Sequence, residues 1–445
     1  MSEVLALGIS HKTAPVALRE RLALTDAQAG QLVREMVGRD EVDEAVAIST
    51  CNRTEIYLVV SDAVQAEAEL LGRLARRAAI RPTELAGIVY SPRNCDAARQ
   101  LFRVTSGLES MIVGEAEVQG QVKRAYERAL AGGTTGPLTN RLFRAALYTG
   151  KRVRTETALG AGRASTSTVA VELARDVMGD LTQRNVVIIG AGETSELTAR
   201  ALADQCVSTI FVANRHAERA LSLAERFGGR VASLQELPER LAEADIVVSS
   251  TSSPHTLIEA DDLEEVMRER DHRPLLFIDL AVPRDIEHAC AEIEGVTVYD
   301  IDDLQRVVAR NLEVRGGEQA GAETIVEQEI QGFARWMAEL DVTPTISALR
   351  AHGQAIVEQV LAENAERWES VSPRDAARIE AIARAVMQRL LHEPTIRLKA
   401  VEDEGGHGRQ QVLRELFGLL EGTATEAPAQ DGARGTVRPL KRRSG

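Results

Sequence analysis

The chain has 445 residues, of which 44% are hydrophobic, and this length predicts two to four domains rather than one small module. Its 53 basic against 67 acidic residues give a net charge of −14, which argues against a basic nucleic-acid coat protein but leaves room for a local basic patch. The sequence has no run of about 18 apolar residues and no signal-peptide features, which predicts a protein without a membrane span. Its cysteines show no CxxC or metal-ligand spacing, which predicts neither a disulfide scaffold nor a metal site. Together these features predict a cytoplasmic protein.

The first ninety residues alternate between short apolar segments and helical spacing. The pattern predicts strands at Glu3–Ser10, Asp43–Ser49, Glu55–Val60 and Gly87–Tyr90, and helices at Thr25–Gly38 and Asp62–Ala79. The order βαββαβ is that of a ferredoxin-like (split βαβ) sheet, in which the two middle strands form a hairpin. From Asp96 to about Met178 the pattern is helical.

Strands and helices alternate from Asn185 onwards, which predicts an α/β domain with a parallel sheet, ending with the strand in VTVYDIDDL. From about Asn311 to Leu420 only charged helices with apolar stripes are predicted. Such stripes need a partner helix, and a second subunit is the expected source. The composition of residues 423–445 predicts disorder.

A glycine turn follows the first strand of the α/β segment and opens a helix. Its residues are Gly190, Ala191, Gly192, Glu193, Thr194 and Ser195. In this strand–turn–helix context the turn predicts dinucleotide binding, and the alternative is an ordinary strand-to-helix turn. The next strand ends in Asn214 and Arg215 rather than in a carboxylate, which favours NADP over NAD.

The predicted hairpin turns through Ser49-Thr50-Cys51-Asn52-Arg53-Thr54, a polar loop between apolar strands. An arginine beside a cysteine can stabilise the thiolate, and its planar fork can also bind a substrate carboxylate. The loop therefore predicts a reactive Cys51, against the alternative of a structural, half-exposed cysteine. Cys95, Cys206 and Cys290 have aliphatic neighbours, and for them the structural interpretation is favoured.

Two further segments are polar in an unusual way. Residues 106–123 place several Glu and Gln side chains around three glycines, which predicts either a polar wall for a substrate amine or a capped helix–turn–helix. The segment with Arg141, Arg144, Lys151, Arg152 and Arg154 has only Glu156 against it. The segment predicts a helix face that contacts phosphates, and a solvated helix face is an alternative that the pattern supports at least as strongly.

Together these motifs resemble the glutamyl-tRNA reductase family. The resemblance rests on GISHKTAPV, STCNRTEIYLV, SGLESMIVGEAEVQGQVK and IIGAGETSELTARAL followed by VANR, in this order. It implies NADPH-dependent reduction of glutamyl-tRNA to glutamate-1-semialdehyde through a cysteine thioester, at the first step of tetrapyrrole synthesis. It also implies a homodimer and transfer of the aldehyde to glutamate-1-semialdehyde aminomutase.

The resemblance assigns domains and roles. It implies a catalytic domain at 1–155, a Rossmann-type NADPH-binding domain at 156–310 and a helical dimerisation domain at 311–422, before the tail at 423–445. Cys51 is the implied nucleophile, and the glycine turn the implied cofactor site. The implied substrate-binding residues are Thr50, Asn52, Arg53, Ser110, Glu115, Ala116, Glu117 and Gln121.

One position departs from the family pattern: Gln100 stands where the family has a histidine. Glutamine cannot act as an acid or base, so Gln100 either donates a hydrogen bond or marks a slowed or diverged enzyme. The other N-terminal histidine is His11, whose role the sequence leaves open. Two other functions therefore remain: an NADP-dependent semialdehyde dehydrogenase acting on an acyl phosphate, and a non-catalytic NADP-binding regulator.

Overall fold

A computed structural model describes residues 2–115, 117–157, 159, 166–214, 217–251, 253–304, 306, 316–365, 372–399 and 406–419. The predicted disordered tail at 423–445 lies outside these residues. The chain divides into two compact units, Met1–Ala334 and Arg335–Gly445. In the described part of the chain, none of the helices combines the length and the apolar character that a membrane crossing requires.

Among the residues that the structure describes, nine strands belong to the first unit. They are β1 (Glu3–Ser10), β2 (Val42–Ser49), β3 (Arg53–Val60), β4 (Asn185–Ile189), β5 (Thr209–Ala213), β6 (Arg230–Ala232), β7 (Ile246–Ser249), β8 (Leu275–Asp279) and β9 (Val296–Tyr299).

In the described ranges, twelve α-helices lie within the first unit, one spans the boundary between Ala334 and Arg335, and two belong to the second unit. They are α1 (Val16–Leu22), α2 (Asp26–Val37), α3 (Ala63–Ala78), α4 (Pro82–Ala86), α5 (Asn94–Thr105), α6 (Glu117–Ala131), α7 (Pro137–Glu156), α8 (Thr166–Met178), α9 (Glu193–Ala203), α10 (Ala217–Phe227), α11 (Leu237–Glu243), α12 (Ala260–Glu269), α13 (Gly316–Glu363), α14 (Pro373–Lys399) and α15 (Gly406–Leu416).

The N-terminal sheet has the antiparallel order β1-β3-β2, and the predicted hairpin of β2 and β3 is confirmed. The prediction of a fourth strand at Gly87–Tyr90 is wrong. Gly87 ends α4, and only isolated bridges from Tyr90 and Arg93 pair with the outer side of β1. Pro92 between them has no N–H to donate, so a regular ladder cannot form there. The topology remains ferredoxin-like.

Strand β3 is central and buried along its whole length, and its two faces differ in chemistry. Side chains alternate between the faces of a strand, so Ile56, Leu58 and Val60 share one face and pack in the apolar core under α2 and α3. Residues Arg53 and Glu55 share the opposite face. This alternation places charged groups inside the domain, directly behind the hairpin turn.

The second sheet is parallel, with the order β6-β5-β4-β7-β8-β9. The predicted strand in VTVYDIDDL is confirmed as β9. Strand β6 was not predicted, since three residues are too few to show a period. Strand order reverses direction at β4, and in open α/β sheets ligands bind beside such a point.

The second unit is helical, as predicted. Several of its apolar side chains face solvent, among them Ile382 and Leu390, which are 63% and 70% exposed. Leu390 lines an apolar groove of about 600 Å³ together with Ile356, Val360 and Val386. Exposure of such a contiguous apolar surface is typical of an interface between subunits.

Candidate active site

A small cavity of about 30 Å³ surrounds the hairpin turn of β2 and β3. We call it the thiol pocket. The predicted nucleophile and seven of the predicted substrate-binding residues line it: Cys51, Thr50, Asn52, Arg53, Ser110, Glu115, Glu117 and Gln121. Thr194 of the predicted glycine turn lines it too, and the lining residues that the sequence analysis missed are Val118, Thr166, Leu280 and Ile301. The remaining predicted substrate-binding residue, Ala116, lies outside the described part of the chain.

The turn that carries Cys51 is held by its own polar groups. The Oγ1 atom of Thr50 accepts hydrogen bonds from the backbone N–H groups of Asn52 and Arg53, both at 3.2 Å. The Cys51 carbonyl accepts a 2.6 Å hydrogen bond from Arg19 on α1, a buried residue that also forms an ion pair with Asp302. Because several hydrogen bonds hold this loop, the position of the thiol is fixed before a substrate binds.

The expectation that Arg53 activates the thiol is not met in this conformation. Burial raises the pKa of Cys51 to about 12, and the neighbouring carboxylates of Glu115 and Glu117 add to this rise, while Arg19 opposes it. A thiol in such surroundings stays protonated near neutral pH, so it needs a base to become a nucleophile.

Arg53 is occupied on the other side of the loop, where a buried network surrounds Glu55. Arg53 donates to Glu55 Oε1 at 2.9 Å, and both side chains are at most 2% exposed. Tyr90 and Gln100 donate to the same oxygen at 2.5 and 3.0 Å, and Tyr57 donates to Oε2 at 2.7 Å. Gln100 is thus a hydrogen-bond donor, as one prediction held, but to Glu55, and it does not line the thiol pocket.

The two glutamates of the pocket are held in partly apolar surroundings. Burial raises the pKa of Glu117 to about 7, with Glu115 and Glu193 contributing to the rise. Burial also raises the pKa of Glu115, whose Oε1 accepts from Thr166 at 2.8 Å. Glu117 Oε1 is buried and has no hydrogen-bond partner within the described residues. A carboxyl with a pKa near 7 and a free oxygen can accept and return a proton at neutral pH.

His11 lies against the same turn, and its backbone N–H donates to the Asn52 carbonyl at 2.8 Å. Burial lowers the pKa of His11 to about 4, helped by the positive charges of Arg53 and Arg19. Its Nδ1 atom is buried and has no partner among the residues that the structure describes. At neutral pH His11 is therefore an uncharged imidazole.

A second, larger cavity of about 330 Å³ lies at the carboxyl ends of β4, β5 and β7, and we call it the dinucleotide pocket. Gly190, Ala191 and Gly192 line it, as does Asn214. At Gly190 φ is +117°, and an added Cβ would lie 2.9 Å from the Ser250 carbonyl oxygen, so this position requires glycine.

The dinucleotide pocket fits the cofactor predicted for it. A Cβ on Gly192 would meet no protein atom within 4 Å, so the turn leaves open space before the first helical residue of α9. A pyrophosphate is bound by such a turn at a helix N-terminus. Arg215 lies outside the described residues. Arg219, which the sequence analysis missed, is an exposed cation that lines this pocket.

The other predicted residues of the glycine turn do not line the dinucleotide pocket. Ser195 is fully buried and forms a 2.7 Å hydrogen bond with Ser250. Glu193 faces outward and pairs with Arg124 at 3.2 Å. Thr194 lines the thiol pocket, where its Oγ1 donates to Glu117 Oε2 at 3.3 Å. The glycine turn thus contacts both cavities, since its two ends line different ones.

Comparison with known families covers most of the chain. Residues 7–157 match the N-terminal domain of glutamyl-tRNAGlu reductase, and residues 321–419 match the dimerisation domain of the same enzyme. Residues 172–307 match shikimate/quinate 5-dehydrogenase, a dehydrogenase domain.

Individual proteins are similar over nearly their whole length. The glutamyl-tRNA reductase of Citrifermentans bemidjiense is 41% identical over 421 residues, which cover 94% of this chain and 97% of that protein. That of Geobacter sulfurreducens is 40% identical over 430 residues, covering 97% and 98%. The solved structure of glutamyl-tRNA reductase from Methanopyrus kandleri aligns with a TM-score of 0.51 at 34% identity, covering 94% of this chain and 99% of that one.

Proposed function

The chain belongs to the glutamyl-tRNA reductase family, and we propose that Cys51 is the residue on which it performs the family's acyl transfer. The family reduces glutamyl-tRNA at the first step of tetrapyrrole synthesis, with a pyridine nucleotide bound in its dehydrogenase domain and a helical domain for dimerisation. The proposals concern how this chain's own residues carry out that reaction.

The observation that carries the assignment is the position of Thr194. This residue belongs to the glycine turn, yet it lines the pocket that holds the Cys51 thiol. A hydride can pass between two groups only when they are nearly in contact. A thiol beside a dinucleotide turn is therefore the arrangement expected of an enzyme that reduces a cysteine-bound acyl group.

Acyl transfer needs a base and an acid, and Glu117 has the geometry for both. As a carboxylate it takes the proton of the Cys51 thiol, and the thiolate attacks the ester carbonyl of glutamyl-tRNA. A carbon–sulfur bond forms, the bond to the ribose oxygen breaks, and Glu117 returns the proton to that oxygen as the tRNA leaves. The product is a thioester, which accepts a hydride more readily than an ester does.

The glutamyl group is held by the turn and by the walls of the pocket. Arg53 uses one N–H on Glu55 and another on the Glu109 carbonyl, so three of its five N–H groups remain for the side-chain carboxylate of the substrate. Thr50, Asn52, Ser110 and Gln121 supply neutral hydrogen-bonding groups, and Glu115 faces the substrate amine.

The cofactor proposed for the dinucleotide pocket is NADPH, which when bound supplies the hydride that reduces the thioester. Gly190 and Gly192 allow the backbone to approach its pyrophosphate. The end of β5 at Asn214 carries no carboxylate for a ribose hydroxyl, and Arg215 and Arg219 are the cations proposed for the extra phosphate.

Three further predictions from the sequence are also proposed for this chain. They are the domain limits at residues 155, 310 and 422, the cytoplasmic location, and delivery of the aldehyde to glutamate-1-semialdehyde aminomutase. Delivery predicts a direct complex of the two enzymes, which analytical ultracentrifugation measures.

The test is NADPH oxidation with glutamyl-tRNA, glutamate or glutamyl phosphate as substrate. Only glutamyl-tRNA is expected to support oxidation, and Cys51→Ser is expected to abolish it while NADPH still binds. Cys206→Ser is the matched control, because Cys206 is exposed and lines neither pocket. Oxidation with glutamyl phosphate alone would identify a semialdehyde dehydrogenase, and NADPH binding without any oxidation would identify a regulator.

A further inference from the structure

Helix α7 is amphipathic, and its outer face is basic. Its inner face, with Leu142, Phe143 and Val153, is buried in the N-terminal domain. Residues three, four or seven positions apart share a helix face, so Arg144, Tyr148, Lys151 and Arg154 lie together on the outer side, and all four are exposed. We call these four residues the α7 face.

The cations of the α7 face differ from those of the neighbouring helix. Every cation of α6 has a carboxylate partner: Lys123 pairs with Glu127, Arg124 with Glu193 and Arg128 with Asp26. Within α7 itself, Arg152 turns inward to Glu156 and Glu329. In contrast, no carboxylate among the described residues forms an ion pair with Arg144, Lys151 or Arg154. These three cations can therefore bind an anionic partner, although the protein as a whole is acidic.

An exposed aromatic ring stands in the middle of these cations. Tyr148 is 57% exposed, in a chain whose aromatic content is only 3%. Cations that contact phosphates and an aromatic ring that stacks on a base or ribose are the two elements with which proteins hold RNA without reading its sequence. Neither element alone would identify a partner, but their combination on one rigid helix favours a nucleic acid.

We propose that the α7 face binds the sugar–phosphate backbone of the tRNA while its aminoacyl end enters the thiol pocket. This inference rests on the proposed function, since it takes glutamyl-tRNA as the substrate. The two surfaces are mechanically connected, because Gln119 of α6 donates to the Leu147 carbonyl of α7 at 2.8 Å. The first two turns of α6 also carry Glu117 and Gln121 of the pocket. An RNA held on α7 is thereby held at a fixed position relative to Cys51.

The test is a salt titration of tRNA binding to the full-length protein. The α7 variant, Arg144→Glu/Lys151→Glu/Arg154→Glu, changes the net charge by −6. So does the control variant, Arg76→Glu/Arg175→Glu/Arg200→Glu, made at three exposed arginines elsewhere in the first unit. At about 100 mM salt we expect the α7 variant to raise the Kd for tRNA by about 30-fold or more. Its slope of log K against log salt is expected to fall by about 2 to 3. NADPH binding and thermal unfolding report that both variants are folded.

The control variant is expected to change the Kd by less than about threefold. Equal weakening in both variants would show that net charge alone attracts the RNA, and it would overturn the assignment to α7. Wild-type binding that neither variant weakens would overturn it too, while leaving the proposed function intact. Wild-type protein that binds no tRNA would instead refute the substrate on which the inference rests.

Tyr148 supplies an independent measurement. Tyr148→Ala is expected to weaken tRNA binding by about tenfold without changing the salt slope, because stacking releases no counterions. Tyr148→Phe keeps the ring and is expected to retain affinity. If Tyr148→Phe is as weak as Tyr148→Ala, the ring does not stack and this part of the proposal is wrong.

Discussion

The two cavities joined by the glycine turn differ in size and in charge. The thiol pocket measures about 30 Å³ and is lined by three ionisable side chains: Arg53, which pairs with Glu55 behind the loop, Glu115 and Glu117. The dinucleotide pocket measures about 330 Å³, and none of its described lining residues carries a carboxylate; it presents glycine backbone and the exposed Arg219 to its ligand.

This difference assigns the two cavities different tasks. A pocket that holds a few reacting atoms among buried charges acts on a transition state, so changes there are expected in kcat. A wide pocket with backbone donors binds a large ligand similarly in ground and transition states, so changes there are expected in KM or Kd. The predictions below test this division in order of decreasing effect.

The largest effect is expected at Glu117. Glu117→Gln removes the proton acceptor beside Cys51 and is expected to lower kcat by about 10²- to 10³-fold with little change in KM. The wild-type rate is expected to rise with pH through about 7, where Glu117 ionises, and this limb is expected to vanish in the variant. Glu127→Gln, at an exposed glutamate farther along α6 that lines neither pocket, is the control. A pH limb that survives in Glu117→Gln would assign the proton transfer to another group.

The same substitution has an opposite effect on stability. A carboxyl whose pKa is raised by folding destabilises the fold once the pH exceeds the pKa of that carboxyl in the unfolded chain. For Glu117 the loss of folding free energy therefore grows from about pH 4.5 to about pH 7 and persists above that pH. Glu117→Gln removes this cost and is expected to stabilise the fold at pH 8 by on the order of 1–3 kcal/mol, but not at pH 4. Urea unfolding at both pH values measures it, and equal effects at the two would contradict the assigned pKa.

The next largest effect is expected at Gly190. Gly190→Ala brings a Cβ to 2.9 Å from the Ser250 carbonyl oxygen at a φ that favours glycine, so the Kd for NADPH is expected to rise by at least about 30-fold. Transfer of the glutamyl group to Cys51 is expected to continue, because that step needs no cofactor. Gly332→Ala, where an added Cβ meets nothing within 4 Å, is the control. Loss of acyl transfer in Gly190→Ala would show that the two cavities are not separable.

A smaller effect is expected at the two arginines proposed to bind the extra phosphate of NADPH. Arg215→Ala and Arg219→Ala are each expected to raise the KM for NADPH by about tenfold and to leave NADH almost unchanged, because only NADPH has the extra phosphate. Arg175→Ala, on α8, is the control. Wild-type protein that uses NADH and NADPH equally well would refute the preference.

The smallest effect is expected at Gln100. Gln100→Leu leaves Glu55 with its three other donors and is expected to lower kcat only a few-fold. Gln100→His keeps a donor and is expected to stay within a few-fold of wild type. A large gain with a new pH dependence near 6–7 in Gln100→His would restore an acid–base role at this position.

The sequence predicted what is local. The turn at residues 49–54 and the glycine turn each depend on residues a few positions apart. Even the Arg53–Glu55–Tyr57 face was accessible, because alternate residues of a strand share a face. Arg19 and Thr166 were missed because tertiary packing brings them to the Cys51 turn and to the thiol pocket from elements distant in sequence. Arg219 was missed because the cation was expected at the end of β5, whereas Arg219 lies on α10, the helix that follows. The expected lowering of the Cys51 pKa by Arg53 is not met, because Arg53 pairs with Glu55 and because burial raises the pKa of the thiol.

The most direct test of the account is to trap the acyl-enzyme. Wild-type protein is incubated with glutamyl-tRNA without NADPH, quenched in acid, digested and analysed by mass spectrometry. The account predicts a glutamyl group on the peptide that contains Cys51 and release of free tRNA in equal amount, with neither in Cys51→Ser. Adding NADPH is predicted to remove the adduct and yield the aldehyde. A glutamyl group on another cysteine, or reduction at the full rate with no adduct on Cys51, would contradict the account.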